Sequence, residues 1–186
     1  MGSLAHRYLT NFVLSFLDKT HPVVIGLTGS FLLYTRSAGV AYFAAGASTC
    51  SLTVKLIKRA IRQPRPPPSL VRRKVKASYG MPSTHSATIT FFAAYIFLAC
   101  KNLPIHKTLS PNPTITRLMP PLITTPWALA IMMSRVWLGY HTWPQVAAGS
   151  AYGITLTMLW FALWTRAGLN DLGRRVEEVV WQRFGW

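Results

Sequence analysis

Residues 136–165 read VWLGYHTWPQVAAGSAYGITLTMLWFALWT, thirty residues without one Lys, Arg, Asp or Glu. A helix at the surface of a soluble protein carries a polar face, and this stretch has no charged one. Roughly 20 mostly apolar residues cross a bilayer core. Four further runs are equally free of charge: 20–35, 37–54, 77–100 and 118–134. Together they predict an all-α, polytopic transmembrane helical bundle with about five spans, near 22–36, 38–57, 85–102, 118–135 and 145–165. Gly26, Gly29, Gly39, Gly46, Gly149 and Gly153 suit close helix approach. Trp137, Trp143, Trp160 and Trp164 suit the interfaces. The whole chain, 1–186, reads as a single integral-membrane domain, with an amphipathic tail over 166–186 expected to lie on the surface.

Charge is distributed unevenly. Twenty Lys and Arg face four Asp and Glu, a formal charge of +16 in 186 residues. That balance suits a polyanionic or phosphorylated partner. The acids are Asp18, Asp171, Glu177 and Glu178, so no carboxylate lies between positions 18 and 171. Mg²⁺ and Ca²⁺ sites and paired-carboxylate catalysis both need such groups. Chemistry in the central chain therefore falls to His, Lys, Arg, Ser and the backbone, with no metal and no cofactor expected. Cys50 and Cys100 sit in apolar runs and read as buried thiols, neither disulfide framework nor zinc site. A cleavable signal peptide is not expected at the start.

Three segments flank the spans on one side. Lys58-Arg59-Ala60-Ile61-Arg62-Gln63-Pro64-Arg65-Pro66 closes the second span, and Tyr79-Gly80-Met81-Pro82-Ser83-Thr84-His85-Ser86 opens the third. Ser134 through Gln145 joins the fourth to the fifth. Span counting puts the loops 58–84 and 135–145 on the same membrane face. Lys58, Arg65 and Arg135 supply cations there; His85 and His141 supply imidazoles. Arg clamps phosphate oxygens in pairs and Lys acts as a point charge. Ser83 or Thr84 can cap the third helix, which would put His85 in a first turn that favours anions. Thr142 and Pro144 repeat the arrangement beside His141. Two histidines divide phosphoryl transfer: one attacks phosphorus, the other shuttles protons. Arg72, Arg73, Lys74 and Lys76 read as headgroup contacts, and His6, His21 and His106 as isolated polar residues.

These segments resemble the type 2 phosphatidic acid phosphatase superfamily, whose pattern is Lys-x6-Arg-Pro, Pro-Ser-Gly-His and Ser-Arg-x5-His-x3-Asp. Lys58, Arg65 and Pro66 match the first part, Pro82, Ser83 and His85 the second, and Ser134, Arg135 and His141 the third. The motif-bearing core covers 58–145. Thr84 stands where the family has glycine, and Gln145 where it has aspartate. Both departures are similar to the dolichyl diphosphatases of the endoplasmic reticulum. That resemblance implies metal-independent hydrolysis of dolichyl diphosphate to dolichyl phosphate and phosphate, which recycles the lipid carrier of protein N-glycosylation. It implies His141 as nucleophile, His85 as general acid/base and Gln145 as the group orienting His141. Lys58, Arg65, Ser83, Thr84 and Arg135 would hold the phosphate.

The partners expected are a polyprenyl (dolichyl) diphosphate lipid and the membrane, with no nucleic acid. The resemblance implies a lumenal site in the endoplasmic reticulum membrane. Loop charge leaves orientation undecided, because the two faces carry equal numbers of basic residues once Lys58, Arg65 and Arg135 are set aside. A phosphatase of another lipid phosphate and a non-catalytic anionic-lipid binder are the competing readings.

Overall fold

The computed structural model describes residue 17, residues 20–67 and residues 78–184. The basic run 72–76 and His6 lie outside the described residues. Among the described residues six α-helices of more than one residue follow in order: α1 (Thr20–Thr35), α2 (Ala38–Ile61), α3 (Thr84–Asn102), α4 (Met119–Trp137), α5 (Trp143–Arg166) and α6 (Leu169–Phe184). A π-helical turn, Thr114–Leu118, leads into α4. No strand occurs among the described residues.

Helix ends follow local chemistry. Ser37 caps α2 by accepting from the Gly39 N–H, and Arg62 ends that helix in the left-handed region at φ 55°. Lys58 and Arg59 in its last turn complement the helix dipole. Of the two residues able to cap α3, Ser83 does so. Thr142 caps α5 in a reciprocal capping box with Gln145.

α3 is the central helix and packs most extensively against α5, then α4 and α2. Glycines make the α3–α5 contact close. A Cβ at Gly149 would lie 2.5 Å from the Ser83 carbonyl oxygen, and one at Gly153 would lie 2.4 Å from that of Ala87. Ala47, Cys50, Val54, Ala87, Phe91 and Tyr95 form the buried core between α2 and α3. Phe43 meets Phe92 edge-on at 4.6 Å, and Tyr42 stacks on Trp164 at 4.6 Å. Tyr42 and Trp160 exchange hydrogen bonds with each other's carbonyls, at 2.9 and 3.1 Å.

The outward surface is apolar. Leu27, Leu33, Leu56, Ile123 and Leu159 are all at least 60% exposed, while Ser86, Ser134 and Thr157 are fully enclosed. An exposed apolar mantle of this extent marks a membrane surface. By length and apolarity α2 and α5, 24 residues each, can cross a membrane; α1 is apolar but shorter. α3 and α4 have 19 residues each. Of the five spans expected from charge-free runs, α2 and α5 are the two described helices long and apolar enough to cross a membrane, with α2 running to Ile61 and α5 starting at Trp143.

Candidate active site

The C-terminal ends of α2 and α4 meet the N-terminal ends of α3 and α5 at one face of the bundle. The join is a main-chain hydrogen bond, Ser83 N–H to Gln145 C=O at 2.9 Å. It ties the starts of α3 and α5 together. The segment after α2 folds over the same place: Gly80 N–H donates to the Gln63 carbonyl at 2.7 Å. A Cβ on Gly80 would lie 2.5 Å from the Gln145 amide nitrogen, so a larger residue here would have to displace the Gln145 amide.

His141 is buried at the centre. Its Nδ1 lies 3.2 Å from Gln145 Oε1, and its Nε2 lies 3.3 Å from Arg65 Nη1. A guanidinium only donates, so Nε2 is the accepting nitrogen and the ring proton sits on Nδ1. The proton is donated to Gln145. Burial drives the His141 pKa down to about 3, and the charges on Arg65 and Lys58 push the same way. The hydrogen bond to Gln145 opposes them, and His85 adds a small further lowering. His141 is therefore neutral at physiological pH, with its Nε2 lone pair turned toward cations.

Besides meeting His141, Arg65 is held by hydrogen bonds to the loops around it. Its Nε donates to the Ser78 carbonyl at 2.9 Å, Nη2 to Ser78 Oγ at 2.8 Å and Nη1 to the Tyr140 carbonyl at 3.1 Å. Lys58 is buried and donates to the Tyr79 carbonyl at 3.0 Å. Arg135, 1% exposed, donates to the Leu17 carbonyl at 3.1 Å and to Ser134 Oγ. Its carbonyl accepts from the Tyr140 and His141 N–H groups, which shapes the tight turn before α5. Ser83 is fully enclosed, and its oxygen accepts from the Ser86 N–H and hydroxyl. Thr84 and His85 are half-buried in the first turn of α3. A groove beside them, lined by Thr20, Val24, Ser51, His85, Phe92 and Ile131, runs between α1, α2, α3 and α4.

The residues singled out in the sequence thus share one face of the fold. Lys58, Arg65, His85 and Gln145 all act electrostatically on His141. Arg135 shapes the turn that carries His141 through its carbonyl, while its guanidinium donates to Leu17 and Ser134 and lies over the Tyr140 ring. Gln63, Ser78 and Gly80 join the site only because the loops fold back, which residue type and spacing along the chain do not show. Among the described residues no group of three His, Cys, Asp or Glu comes together as a metal site would require.

The PAP2 superfamily model matches residues 35–168. The chain belongs to the PAP2 superfamily. Dolichyldiphosphatase 1 of Homo sapiens is 31% identical over 173 residues, covering 90% of this chain and 70% of the human protein. Lipid phosphate phosphatase gamma of Arabidopsis thaliana is 34% identical over 145 residues, 75% of this chain and 61% of that protein. A transmembrane PAP2 type phosphatidylglycerolphosphate phosphatase from Bacillus subtilis, known from its crystal structure, superposes with a TM-score of 0.65 at 21% identity. The likeness covers 83% of this chain and 76% of that one. This PAP2 chain is accordingly a membrane protein and a hydrolase acting on the phosphate ester or anhydride of a lipid. The Lys58, Arg65, His85 and His141 neighbourhood lies inside the PAP2 match.

Proposed function

We propose that the chain hydrolyses dolichyl diphosphate to dolichyl phosphate and phosphate at the endoplasmic reticulum membrane, with its site facing the lumen. In this reading it crosses the bilayer five times, through α1 to α5, and α6 lies along the opposite surface. One observation carries the chemistry: a neutral, buried His141 whose Nδ1–H is held by Gln145 and whose Nε2 faces Arg65. Nε2 attacks the terminal phosphorus. The bond from that phosphorus to the bridging oxygen breaks, and His85 protonates the departing dolichyl phosphate. His85 then takes a proton from water, which cleaves the phosphohistidine, releases phosphate and restores His141.

Lys58, Arg65 and Arg135 bind the phosphoryl oxygens, and the N-terminal turn of α3, with Ser83 and Thr84, completes the anion site. Negative charge on the phosphoryl group compensates the cations that hold His141 neutral. Gln145 supplies a dipole rather than a charge, so the cationic intermediate depends more on the bound phosphate itself. No step needs a metal. The groove beside His85 gives the prenyl chain an apolar path between helices, so only the diphosphate has to reach the membrane face.

The test is phosphate release from dolichyl diphosphate in detergent with EDTA present. Intact protein should turn over, and His141→Ala should be inactive while its melting behaviour is retained. Turnover by His141→Ala would overturn the mechanism. The similarity to Lipid phosphate phosphatase gamma keeps a second substrate class in view. Phosphatidate competing as well as dolichyl diphosphate would favour it. Binding that survives without any turnover would instead favour a lipid binder.

A further inference from the structure

The amide of Gln145 is surrounded in a way that a carboxylate could not satisfy. Its Oε1 accepts from the Thr142 N–H at 3.3 Å and from His141 Nδ1–H at 3.2 Å. Its Nε2 donates to the Pro64 carbonyl at 3.1 Å and to Gln63 Oε1 at 3.2 Å. The Thr142 N–H can only donate and the Pro64 carbonyl can only accept, so both favour one orientation of the amide, and Gln63 Oε1 is a second acceptor on its Nε2. A glutamate, which has the same length, would turn an oxygen toward two acceptors. The amide is 2% exposed, so water cannot relieve that repulsion.

We propose that Gln63 is a positioning residue: its side-chain oxygen, with the Pro64 carbonyl, locks the Gln145 amide so that Oε1 alone faces His141. The lock matters because the alternative rotation would turn an NH₂ group toward Nδ1. His141 would then accept at Nδ1 and carry its proton on Nε2, the nitrogen that must attack. Gln63 thus acts on the nucleophile through Gln145, two hydrogen bonds away. The pairing explains why glutamine stands at position 145: the seat for it is built by the segment after α2. Gln63 is exposed and its carbonyl, not its side chain, holds Gly80. Changing the side chain leaves that main-chain hydrogen bond in place.

The inference rests on the proposed role of His141, and the experiment separates the two. Initial rates on dolichyl diphosphate are measured for intact protein, Gln63→Leu, Gln63→Glu, Gln145→Ala, the Gln63→Leu/Gln145→Ala pair and His141→Ala. Losing one neutral hydrogen bond corresponds to roughly three- to tenfold. Gln63→Leu should lose that much kcat with KM unchanged, and Gln63→Glu, which keeps an acceptor, should recover most of it. In the Gln145→Ala background, Gln63→Leu should add nothing. A full additional loss in that background would overturn the proposal, as would intact kcat in Gln63→Leu. An active His141→Ala would instead overturn the nucleophile assignment and leave the coupling between positions 63 and 145 to be read on its own.

Discussion

Replacing Gly149 by alanine tests whether the α3–α5 contact sets the geometry of the site. The new methyl would stand 2.5 Å from the Ser83 carbonyl oxygen and 3.2 Å from the Ser83 nitrogen and Ser86 Cβ. Those neighbours are main chain and a short side chain, so they cannot swing aside. An ordinary C···O contact is about 3.3 Å. The helices must therefore separate locally by roughly 0.8 Å, the difference between the two. Ser83 and Gln145 share a 2.9 Å main-chain hydrogen bond at this level. Stretched by the full displacement, it would reach about 3.7 Å and cease to be a hydrogen bond. Overpacking of this kind costs about 1–3 kcal/mol of stability. Misplacing a reacting group by about 1 Å costs on the order of 10²-fold in rate. Gly149→Ala should accordingly lower kcat for dolichyl diphosphate by several tens of fold, beyond any loss explained by unfolding at the assay temperature. Gly153→Ala is the control. Its methyl meets the Ala87 carbonyl oxygen at 2.4 Å, an equal clash. It lies one turn deeper, about 6 Å further along α5. It should destabilise comparably while costing much less activity. Both variants are measured by phosphate release in detergent at saturating substrate, alongside thermal unfolding. Equal activity losses in the two, or a destabilised Gly149→Ala with kcat within threefold of intact protein, would refute the reasoning.

Acid stability should carry the mark of His141. As pH falls from 6.5 toward 3 the unfolded chain binds a proton on this residue and the folded chain does not, so stability is lost on acidification, by up to about 1 kcal/mol per pH unit. Denaturant melts of His141→Gln at pH 7, 5.5 and 4 should show a shallower fall than intact protein. Glu177 on α6 accepts the Ala38 N–H and so docks α6 on the start of α2. Glu177→Ala should cost about 1–3 kcal/mol, as for a hydrogen bond to a charged group, and speed proteolysis near 166–169; unchanged cleavage would refute the docking role. Arg135→Lys leaves one ammonium where a planar guanidinium met both Leu17 and Ser134. Its melting temperature and kcat should both fall, and intact values for both would refute that role.

Much of this molecule is legible without its coordinates. A thirty-residue stretch with no charge cannot present a charged face to water, so it announces a membrane helix by composition alone. Lys58, Arg65, His85, Arg135 and His141 are residue types suited to phosphate and stand at spacings that resemble the PAP2 pattern, and even–odd span counting puts their loops on one side. Caps were partly readable: Pro82-Ser83-Thr84 marked the start of α3, although the choice of Ser83 needed its hydrogen bond to the Ser86 N–H. Span ends were less readable, because Lys55 and Lys58 interrupt the charge-free run while α2 continues to Ile61. A lysine one turn from a helix end turns toward the Tyr79 carbonyl at no cost to the helix.

What tertiary structure alone decided is direction and protonation. Which nitrogen of His141 holds the proton follows from a guanidinium on one side and an amide oxygen on the other, contributed by segments 76 and 4 residues away. Which way that amide points follows from the Pro64 carbonyl and the Thr142 N–H, 81 and 3 residues from Gln145. Residue types limit what a group can do, and those the sequence states. Which of its possible hydrogen bonds a group makes depends on neighbours brought together by folding, and no spacing along the chain encodes that.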